Sequence, residues 1–366
     1  MQHKFPAIWT MKDANFTKDK GKVFSCFSCA GGSTMGYKLA GFDVIGCVEI
    51  DSEILRTYQN NHHPKYAFGQ SIQYFKKLIK FKVEQGEYTD LMDLDILDGS
   101  PPCSSFSIAG DRDLKWGEKK KFREGQQAQV LDTLFFDFIE VADFLRPKIV
   151  IAENVKGLMM GKAREYVRKI YRAFDLAGYT CQHFLLDARR MGVPQIRERV
   201  FFLALRKDLA EPFMKPIDMF EHKPFIDMWF TEPDIPFGDV RSEVGDDQLH
   251  TERGQSMLHA IEGDRDMNDI NKRVHNKVSG FTCKIRYDHE ISGTITASER
   301  DFRFCDRMAM SEHDYKVCAT FPLDFKLLNN KKHEESYAKY ITGMSVPPVM
   351  MAQIASRVYD YWLSKL

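Results

Sequence analysis

The chain has 366 residues, of which 43% are hydrophobic, and the Lys+Arg and Asp+Glu totals are both 52. This length can bury a full core in one large or two ordinary domains, but the balanced charge gives no overall positive field, so a polyanion would need a local basic surface. No apolar run approaches the ~20 residues of a membrane-spanning helix, and the polar N-terminus lacks a signal-peptide core, which together predict a soluble cytoplasmic protein with no membrane partner.

The first predicted elements alternate between strand and helix. "KVFSCFS" (22–28) is typical of a strand, and the glycines of "CAGGSTMGYKLAG" (29–41) turn the chain into a helix. "DVIGCVEID" (43–51) predicts a second strand that ends in two acids, and "LDILDGS" (94–100) predicts a third. A strand followed by a glycine loop and a helix is the usual opening of an α/β domain.

The pattern continues to about residue 207. A helix is predicted in "VLDTLFFDFIEVADFL" (130–145), and "KIVIAEN" (148–154) is an apolar run of the kind found in strands covered on both faces. "GYTCQHFLLDA" (178–188) and "RVFFLALR" (199–206) predict two more strands. Residues 20–207 are therefore predicted to form an α/β domain with a doubly wound, mixed, Rossmann-like sheet.

After this domain the sequence no longer shows a regular spacing of apolar residues. The stretch from residue 208 mixes prolines with aromatic residues without a sustained period, which predicts a smaller, loop-rich second domain at 208–290. "GTITAS" (293–298) predicts a strand, and the prolines of "SVPPVMMAQIASRVYDYWLSKL" (345–366) start a helix. Residues 291–366 are expected to return to the first domain.

The glycine loop and one acid suggest a cofactor site. In open α/β sheets ligands bind beyond the carboxyl ends of the strands, and "AGGSTMG" (30–36) lets backbone N–H groups approach a ligand there. Glu49 ends the next strand, about 20 residues on, where such domains bind ribose hydroxyls. Together these features favour a nucleoside-containing cofactor, with a plain turn as the alternative. The loop is neither GxGxxG nor a P-loop, which argues against hydride transfer and phosphate binding.

The cysteines point to reactivity and away from a metal. The chain has eight, scattered without a secretory signal, which predicts reduced thiols. Cys26 and Cys29 have CxxC spacing, but no second pair stands nearby, so no metal site is predicted. Cys103 ends "SPPC" (100–103), where prolines that fix φ near about −65° would present a nucleophilic sulfur in one direction. The alternative is a buried structural cysteine in a turn.

Acidic and basic side chains lie at two further strand ends. Glu153 and Asn154 end "KIVIAEN", where a partly desolvated carboxylate can act as an acid. Gln195, Arg197 and Arg199 lie at the start of the last predicted strand. Because alternate residues of an extended segment point the same way, the two arginines are expected to share a face and to bind a carboxylate, phosphate or carbonyl. The alternative is that each arginine, taken singly, is an ordinary surface salt-bridge residue.

In chain order these strings resemble the C5-cytosine-specific DNA methyltransferase family of bacterial and phage type. The matching blocks are "FSCAGGSTMG", "SPPC", "LFFDFIEVADFLRPKIVIAENV", "PQIRER" and "GMSVPPVMMAQIA". The resemblance implies a catalytic and cofactor-binding methyltransferase domain at 20–207 and a target-recognition domain at 208–290. It also implies that residues 291–366 supply a docking strand and a C-terminal helix that returns to the catalytic domain.

The resemblance implies a reaction and a role for each catalytic residue. A methyl group from S-adenosylmethionine would go to C5 of a cytosine flipped out of double-stranded DNA. Cys103 would add to C6 as a thiolate, since C5 is not nucleophilic in the intact ring. Glu153 would hold the N3/N4 edge of the base and protonate N3, while Arg199 would contact O2. Arg197 would support the thiol and a neighbouring phosphate.

The resemblance also implies the cofactor contacts and the partners. The expected cofactor residues are Phe27, Ser28, Cys29, Ala30, Gly32, Glu49, Ile50, Ser71, Ile72, Ser100, Pro102, Leu134, Ser345 and Val346. Four positions depart from the family's usual residues, with Cys29 for glycine, Ser71 for aspartate, Ser104 for glutamine and Met344 for asparagine. The protein is expected to be a monomer that acts on double-stranded DNA, with a cognate restriction endonuclease as a possible partner.

The segment after Cys103 carries six basic residues. Its cationic residues are Arg112, Lys115, Lys119, Lys120, Lys121 and Arg123. Next to the nucleophile, such a loop is expected to close over DNA phosphates, with a solvated loop as the alternative. Two other functions stay open: a tRNA cytosine-5 methyltransferase of the same family, and a DNA-binding relative that has lost cofactor binding, which the four departures suggest.

Overall fold

The computed structural model describes most of the chain. The described residues are 3–102, 133–160, 163–216, 222–278, 282–297, 300–328 and 337–366. They divide into two compact units. The sheet unit comprises Phe16–Leu186, Glu198–Trp229 and Ala352–Leu366, and the second unit comprises Met1–Asn15, Asp187–Arg197 and Phe230–Met351. The predicted domain boundaries at residues 207 and 290 stay a prediction.

The sheet unit contains a seven-stranded sheet in the order β3-β2-β1-β4-β5-β7-β6. The strands are β1 (Lys22–Cys26), β2 (Asp43–Val48), β3 (Tyr66–Phe68), β4 (Ile96–Gly99), β5 (Ile149–Val155), β6 (Tyr179–Asp187) and β7 (Glu198–Arg206). The first five pair in parallel, and β7 runs antiparallel to β5. This confirms the predicted doubly wound mixed sheet. The strand order reverses between β1 and β4, which is where such sheets bind ligands.

Helices flank the sheet and close its core. They are α1 (Gly32–Leu39), α2 (Ser52–His62), α3 (Ile72–Glu84), α4 (Leu134–Leu145), α5 (Ala163–Leu176) and the short α6 (Lys207–Ala210). In α4 the apolar residues that recur at helical spacing are buried, and the rings of Phe135 and Phe202 lie 5.5 Å apart between this helix and β7. The helix predicted at 130–145 is therefore confirmed from Leu134 onward, and residues 130–132 lie outside the described part of the chain.

Three consecutive elements were not predicted from the sequence: α2, β3 and α3. The strand β3 has only three residues, each half-buried, and it pairs with β2 at the edge of the sheet. A segment this short shows no alternation of apolar and polar residues, so its sequence carries no strand signal.

The rest of the chain forms shorter elements. They are β8 (Met214–Pro216), β9 (His222–Pro224), α7 (Glu252–Met257), α8 (Met267–His275), β10 (Ile285–Arg286), β11 (Phe302–Arg303), α9 (Glu312–Cys318), α10 (Tyr337–Met344) and α11 (Pro348–Tyr361). The first two pair within the sheet unit, and α7 to α10 with the β10–β11 pair belong to the second unit. The predicted C-terminal helix is confirmed as α11. No helix of the described residues is long and apolar enough to cross a membrane.

The strand predicted at "GTITAS" is wrong for residues 293–297, which are not part of a strand. The pairing found here is an isolated bridge between Gln195 and Ser292. Side chains take the place of a neighbouring strand, because the Ile295 N–H donates to Gln195 Oε1 at 3.1 Å and its carbonyl accepts from Arg197 at 3.1 Å. Residue 298 lies outside the described ranges.

Candidate active site

The loop after β1 has a constrained backbone. Phe27, Cys29 and Gly31 have φ values of 53°, 49° and 94°. The left-handed conformation costs a residue other than glycine ~1–2 kcal/mol, so surrounding contacts must hold this loop in place. One such contact is the hydrogen bond that the Cys29 N–H donates to Glu49 Oε2 at 2.9 Å. Cys29, which departs from the family's usual glycine, thus adopts a conformation that glycine adopts readily.

Glu49 is fixed at the end of β2 beside this loop. Its second carboxylate oxygen, Oε1, accepts from the Asp51 N–H at 2.9 Å, and Asp51 in turn caps helix α2. Burial raises the pKa of Glu49 to about 7. A carboxylate has about four acceptor positions, so these backbone bonds leave capacity for the hydroxyl groups of a ligand.

The other expected cofactor residues fall into two groups. The first group follows the carboxyl ends of β1 to β4, which meet at one edge of a parallel sheet. Its members are Phe27, Ser28, Ala30, Gly32, Ile50, Ser71, Ile72, Ser100 and Pro102. Ser71 also caps α3, because its hydroxyl accepts from the Tyr74 N–H at 3.3 Å. Leu134 is fully buried in the core at the start of α4, and Ser345 and Val346 are buried in the second unit between α10 and α11. Their roles toward a cofactor stay predictions.

Gly31→Ala is expected to lower the free energy of unfolding by ~3 kcal/mol or more. An added Cβ would lie 2.1 Å from Nε2 of His62, a buried ring whose Nε2 is 3.0 Å from the Ala30 carbonyl oxygen. Gly86→Ala is the matched control, since Gly86 has a φ of 80° but no atom within 4 Å of the added Cβ. Chemical denaturation of both variants measures the effect, and equal losses would contradict the steric explanation.

Glu153 and Arg199 form an ion pair at the carboxyl end of β5. Because β7 is antiparallel to β5, Glu153 lies opposite Phe201 and Arg199 opposite Val155. Arg199 Nε is 3.0 Å from Glu153 Oε1, with side chains 15% and 12% exposed. Burial lowers the pKa of Arg199, although the Glu153 carboxylate opposes this shift. The pair therefore presents a donor and an acceptor side by side in a partly desolvated position.

Arg197 has different partners from Arg199. Its side chain is buried, and the guanidinium donates to the carbonyls of Ile295 at 3.1 Å, Gly343 at 2.8 Å and Ser345 at 3.0 Å, all within the second unit. The strand β7 begins only at Glu198, so the alternation that would align the two arginines does not include Arg197. The expected support of the thiol by Arg197 stays a prediction.

The arm that leads to the predicted nucleophile is described as far as Pro102. Pro101 is buried, and its carbonyl accepts from Asn154 Nδ2 at 3.1 Å. Cys103, Ser104 and the basic residues Arg112, Lys115, Lys119, Lys120, Lys121 and Arg123 lie outside the described residues. In the part of the chain that the structure describes, no group of three or more His, Cys, Asp or Glu residues could hold a metal ion.

Sequence reasoning missed a buried acid next to this site. Asp98 in β4 accepts from the Ser25 hydroxyl at 2.8 Å and the Tyr37 hydroxyl at 3.2 Å. Burial raises the pKa of Asp98 to about 7. The sequence did contain a signal for this residue, because Asp98 is an acid inside an otherwise apolar predicted strand. An acid in such a position is rarely buried without hydrogen-bond partners.

Comparison with known proteins supports a family assignment. The family model described as C-5 cytosine-specific DNA methylase matches residues 21–360. The Type II methyltransferase M.FnuDI of Fusobacterium nucleatum is 36% identical over 189 residues, covering 51% of this chain and 48% of that protein, so the chain spans about half of its length. M.DdeI of Desulfomicrobium norvegicum is 26% identical over 392 residues, covering 93% of this chain and 89% of that protein.

A solved structure has a similar fold. A putative DNA modification methyltransferase encoded within a prophage in E. coli superposes with a TM-score of 0.64 at 19% identity, covering 93% of this chain and 99% of that chain. At this identity the likeness shows a shared fold. Since the family model extends over nearly the whole chain, including the loop after β1 and the Glu153–Arg199 pair, the chain belongs to the C-5 cytosine-specific DNA methylase family.

Proposed function

We propose that the protein is a DNA (cytosine-5)-methyltransferase that transfers a methyl group from S-adenosylmethionine to C5 of a flipped-out cytosine through a covalent adduct with Cys103. The observation that carries this proposal is the Glu153–Arg199 pair at 3.0 Å, at the strand end next to the arm that leads to Cys103. One edge of cytosine has a donor at N4, the ring nitrogen N3 and an acceptor at O2. The Glu153 carboxyl group can bind the N3/N4 edge while the Arg199 guanidinium donates to O2.

Cys103, Glu153 and Arg199 each have a separate role in the proposed reaction. The Cys103 thiolate forms a bond to C6, and the electron pair displaced from the C5–C6 double bond makes C5 nucleophilic. Glu153 gives or shares a proton at N3, which lowers the cost of negative charge in the ring, while Arg199 holds O2. After methyl transfer, the C5 proton leaves, the thiolate departs and the double bond re-forms.

The residues at the ends of β1 and β2 fit a nucleoside. The carboxylate of Glu49 is held by two backbone N–H groups and can accept ribose hydroxyls, and half-buried Ile50 offers an apolar contact for a base. When bound, S-adenosylmethionine supplies the methyl group. Phe27, Ser28, Cys29, Ala30 and Gly32 would position it through the constrained loop.

The family match supports proposals for the substrate and the partners. Double-stranded DNA is the proposed substrate, which the match to the DNA methylase family supports, and its target base would have to flip out of the stack to reach groups at a strand end. The Type II methyltransferases among the relatives suggest that the protein is the modification half of a restriction system, with an endonuclease as its counterpart. The expected monomeric state and cytoplasmic location stay predictions.

Covalent trapping tests the function. Bisulfite sequencing of DNA from a host that expresses the protein would first identify the target sequence. A duplex with 5-fluorocytosine at the target should then form a denaturation-resistant adduct in the presence of S-adenosylmethionine, because fluorine cannot leave as a cation. Mass spectrometry should place the adduct on the peptide that contains Cys103.

The outcomes of this experiment separate the candidates. Cys103→Ala should form no adduct yet bind the same duplex, since the thiol serves the chemistry and not recognition. Methylation of DNA without an adduct would overturn the thiolate mechanism. Methylation of tRNA instead of DNA would place the protein in the tRNA-modifying branch, and failure to bind S-adenosylmethionine in equilibrium dialysis would indicate a catalytically silent relative.

A further inference from the structure

The arm before Cys103 cannot continue the hydrogen-bond ladder of the sheet. The pairing of β4 with β5 ends at Gly99 opposite Ala152, and the next N–H, that of Ser100, donates to the Cys26 carbonyl at 3.4 Å. Pro101 and Pro102 have no N–H to donate. Beyond Ser100, the two prolines therefore leave the arm without backbone donors to the sheet, and only the carbonyl groups of Pro101 and Pro102 can take part.

Asn154 supplies the missing bond from its side chain. Its Nδ2 donates to the Pro101 carbonyl at 3.1 Å, and its Oδ1 accepts from the Val155 N–H at 2.9 Å. Because the oxygen end of the amide is occupied, the NH₂ end faces the arm. The side chain is 4% exposed, and the backbone of Asn154 is paired with Val200 of β7, so the donor stands on a rigid strand.

We infer that Asn154 is a positioning residue for the nucleophile. It extends the β4–β5 ladder by one side-chain bond and fixes the arm two residues before Cys103, without touching the reacting atoms. The inference rests on the proposed function. Loss of this bond is expected to slow formation of the covalent adduct by ~100-fold, since a displacement of about 1 Å costs a reacting pair that much.

Asn154→Asp removes the donor with almost no change of shape. The carboxylate would direct lone pairs at the Pro101 carbonyl, where Asn154 directs an N–H. Gln182→Glu is the matched control, because Gln182 Nε2 also donates to a proline carbonyl, that of Pro224, at 2.6 Å, on β6. Both changes convert an amide into a carboxylate at a proline carbonyl of the sheet unit, and only the first concerns the arm.

The experiment measures the single-turnover rate of adduct formation on the 5-fluorocytosine duplex, with the dissociation constants for DNA and S-adenosylmethionine. Asn154→Asp should slow the adduct by ~100-fold with both dissociation constants nearly unchanged, whereas Gln182→Glu should keep the wild-type rate. An Asn154→Asp rate equal to wild type would overturn the inference. Absence of an adduct with the wild-type protein would instead refute the proposed function.

Measuring the rate of adduct formation at a series of pH values distinguishes loss of positioning from a general loss of structure. In the Asn154→Asp variant the introduced carboxyl group becomes a donor when it is protonated, so at low pH it can again donate to the Pro101 carbonyl. The rate of this variant relative to wild type should therefore rise as pH falls, while that of Asn154→Ala should stay low at every pH. A flat ratio for Asn154→Asp would contradict the inference. If Asn154→Asp does not fold, Asn154→Ala replaces it, and a wild-type rate in Asn154→Ala overturns the inference.

Discussion

Glu153→Gln is expected to slow methyl transfer by ~100-fold or more, the contribution of a well-placed general acid. Glutamine keeps the shape of the side chain but cannot deliver a proton to N3 of the base. It also leaves Arg199, which is largely buried, without the carboxylate that lies 3.0 Å from its Nε. Single-turnover methylation with labelled S-adenosylmethionine measures the chemical step, and DNA affinity is measured separately.

Glu198→Gln is the control for this substitution. Glu198 lies one residue from Arg199 and pairs with Lys156 at 2.7 Å, but its side chain is 41% exposed. Exposed pairs contribute ~0–1 kcal/mol, so this variant should methylate at nearly the wild-type rate. A near-normal rate for Glu153→Gln, or an equal loss in both variants, would assign the acid to another residue.

Arg197→Lys is expected to lower the free energy of unfolding by ~2–4 kcal/mol, whereas Arg199→Lys should mainly slow chemistry. A lysine ammonium cannot reproduce the planar fork with which Arg197 binds the carbonyls of Ile295, Gly343 and Ser345. Those carbonyls would be left buried without their donor. Because Ser345 is an expected cofactor contact, weaker binding of S-adenosylmethionine should accompany the loss of stability.

Chemical denaturation and calorimetric titration of S-adenosylmethionine distinguish the two arginines. If Arg197→Lys is as stable as wild type and binds the cofactor normally, yet fails to form the covalent adduct, then Arg197 acts at the thiol, as the family resemblance implies. Loss of stability in Arg197→Lys with a preserved adduct in the surviving folded protein would assign Arg197 to the backbone of the second unit.

The strands of the sheet were predictable where their signal is local. Six of the seven strands lie within stretches whose β-prone residues could be recognised without knowledge of their neighbours: β1, β2, β4, β5, β6 and β7. β3 was missed because a three-residue edge strand is defined by its pairing with β2. The strand at 293–297 was wrongly predicted for a different reason. Its residues favour β structure, but its backbone is hydrogen-bonded to the side chains of Gln195 and Arg197 and not to a neighbouring strand.

The sequence alone was enough to predict the family, the mixed α/β fold and the candidate residues Cys103, Glu153 and Arg199. Each of these depends on short motifs at the ends of apolar segments, and such motifs can be recognised without the structure. Which groups meet could be seen only in the folded chain. The Glu153–Arg199 pair, the separate partners of Arg197 and the bond from Asn154 to Pro101 all join residues that are distant in the sequence. Such contacts depend on strand order and on the antiparallel register of β5 and β7, which bring distant residues together and which local side-chain patterns do not encode.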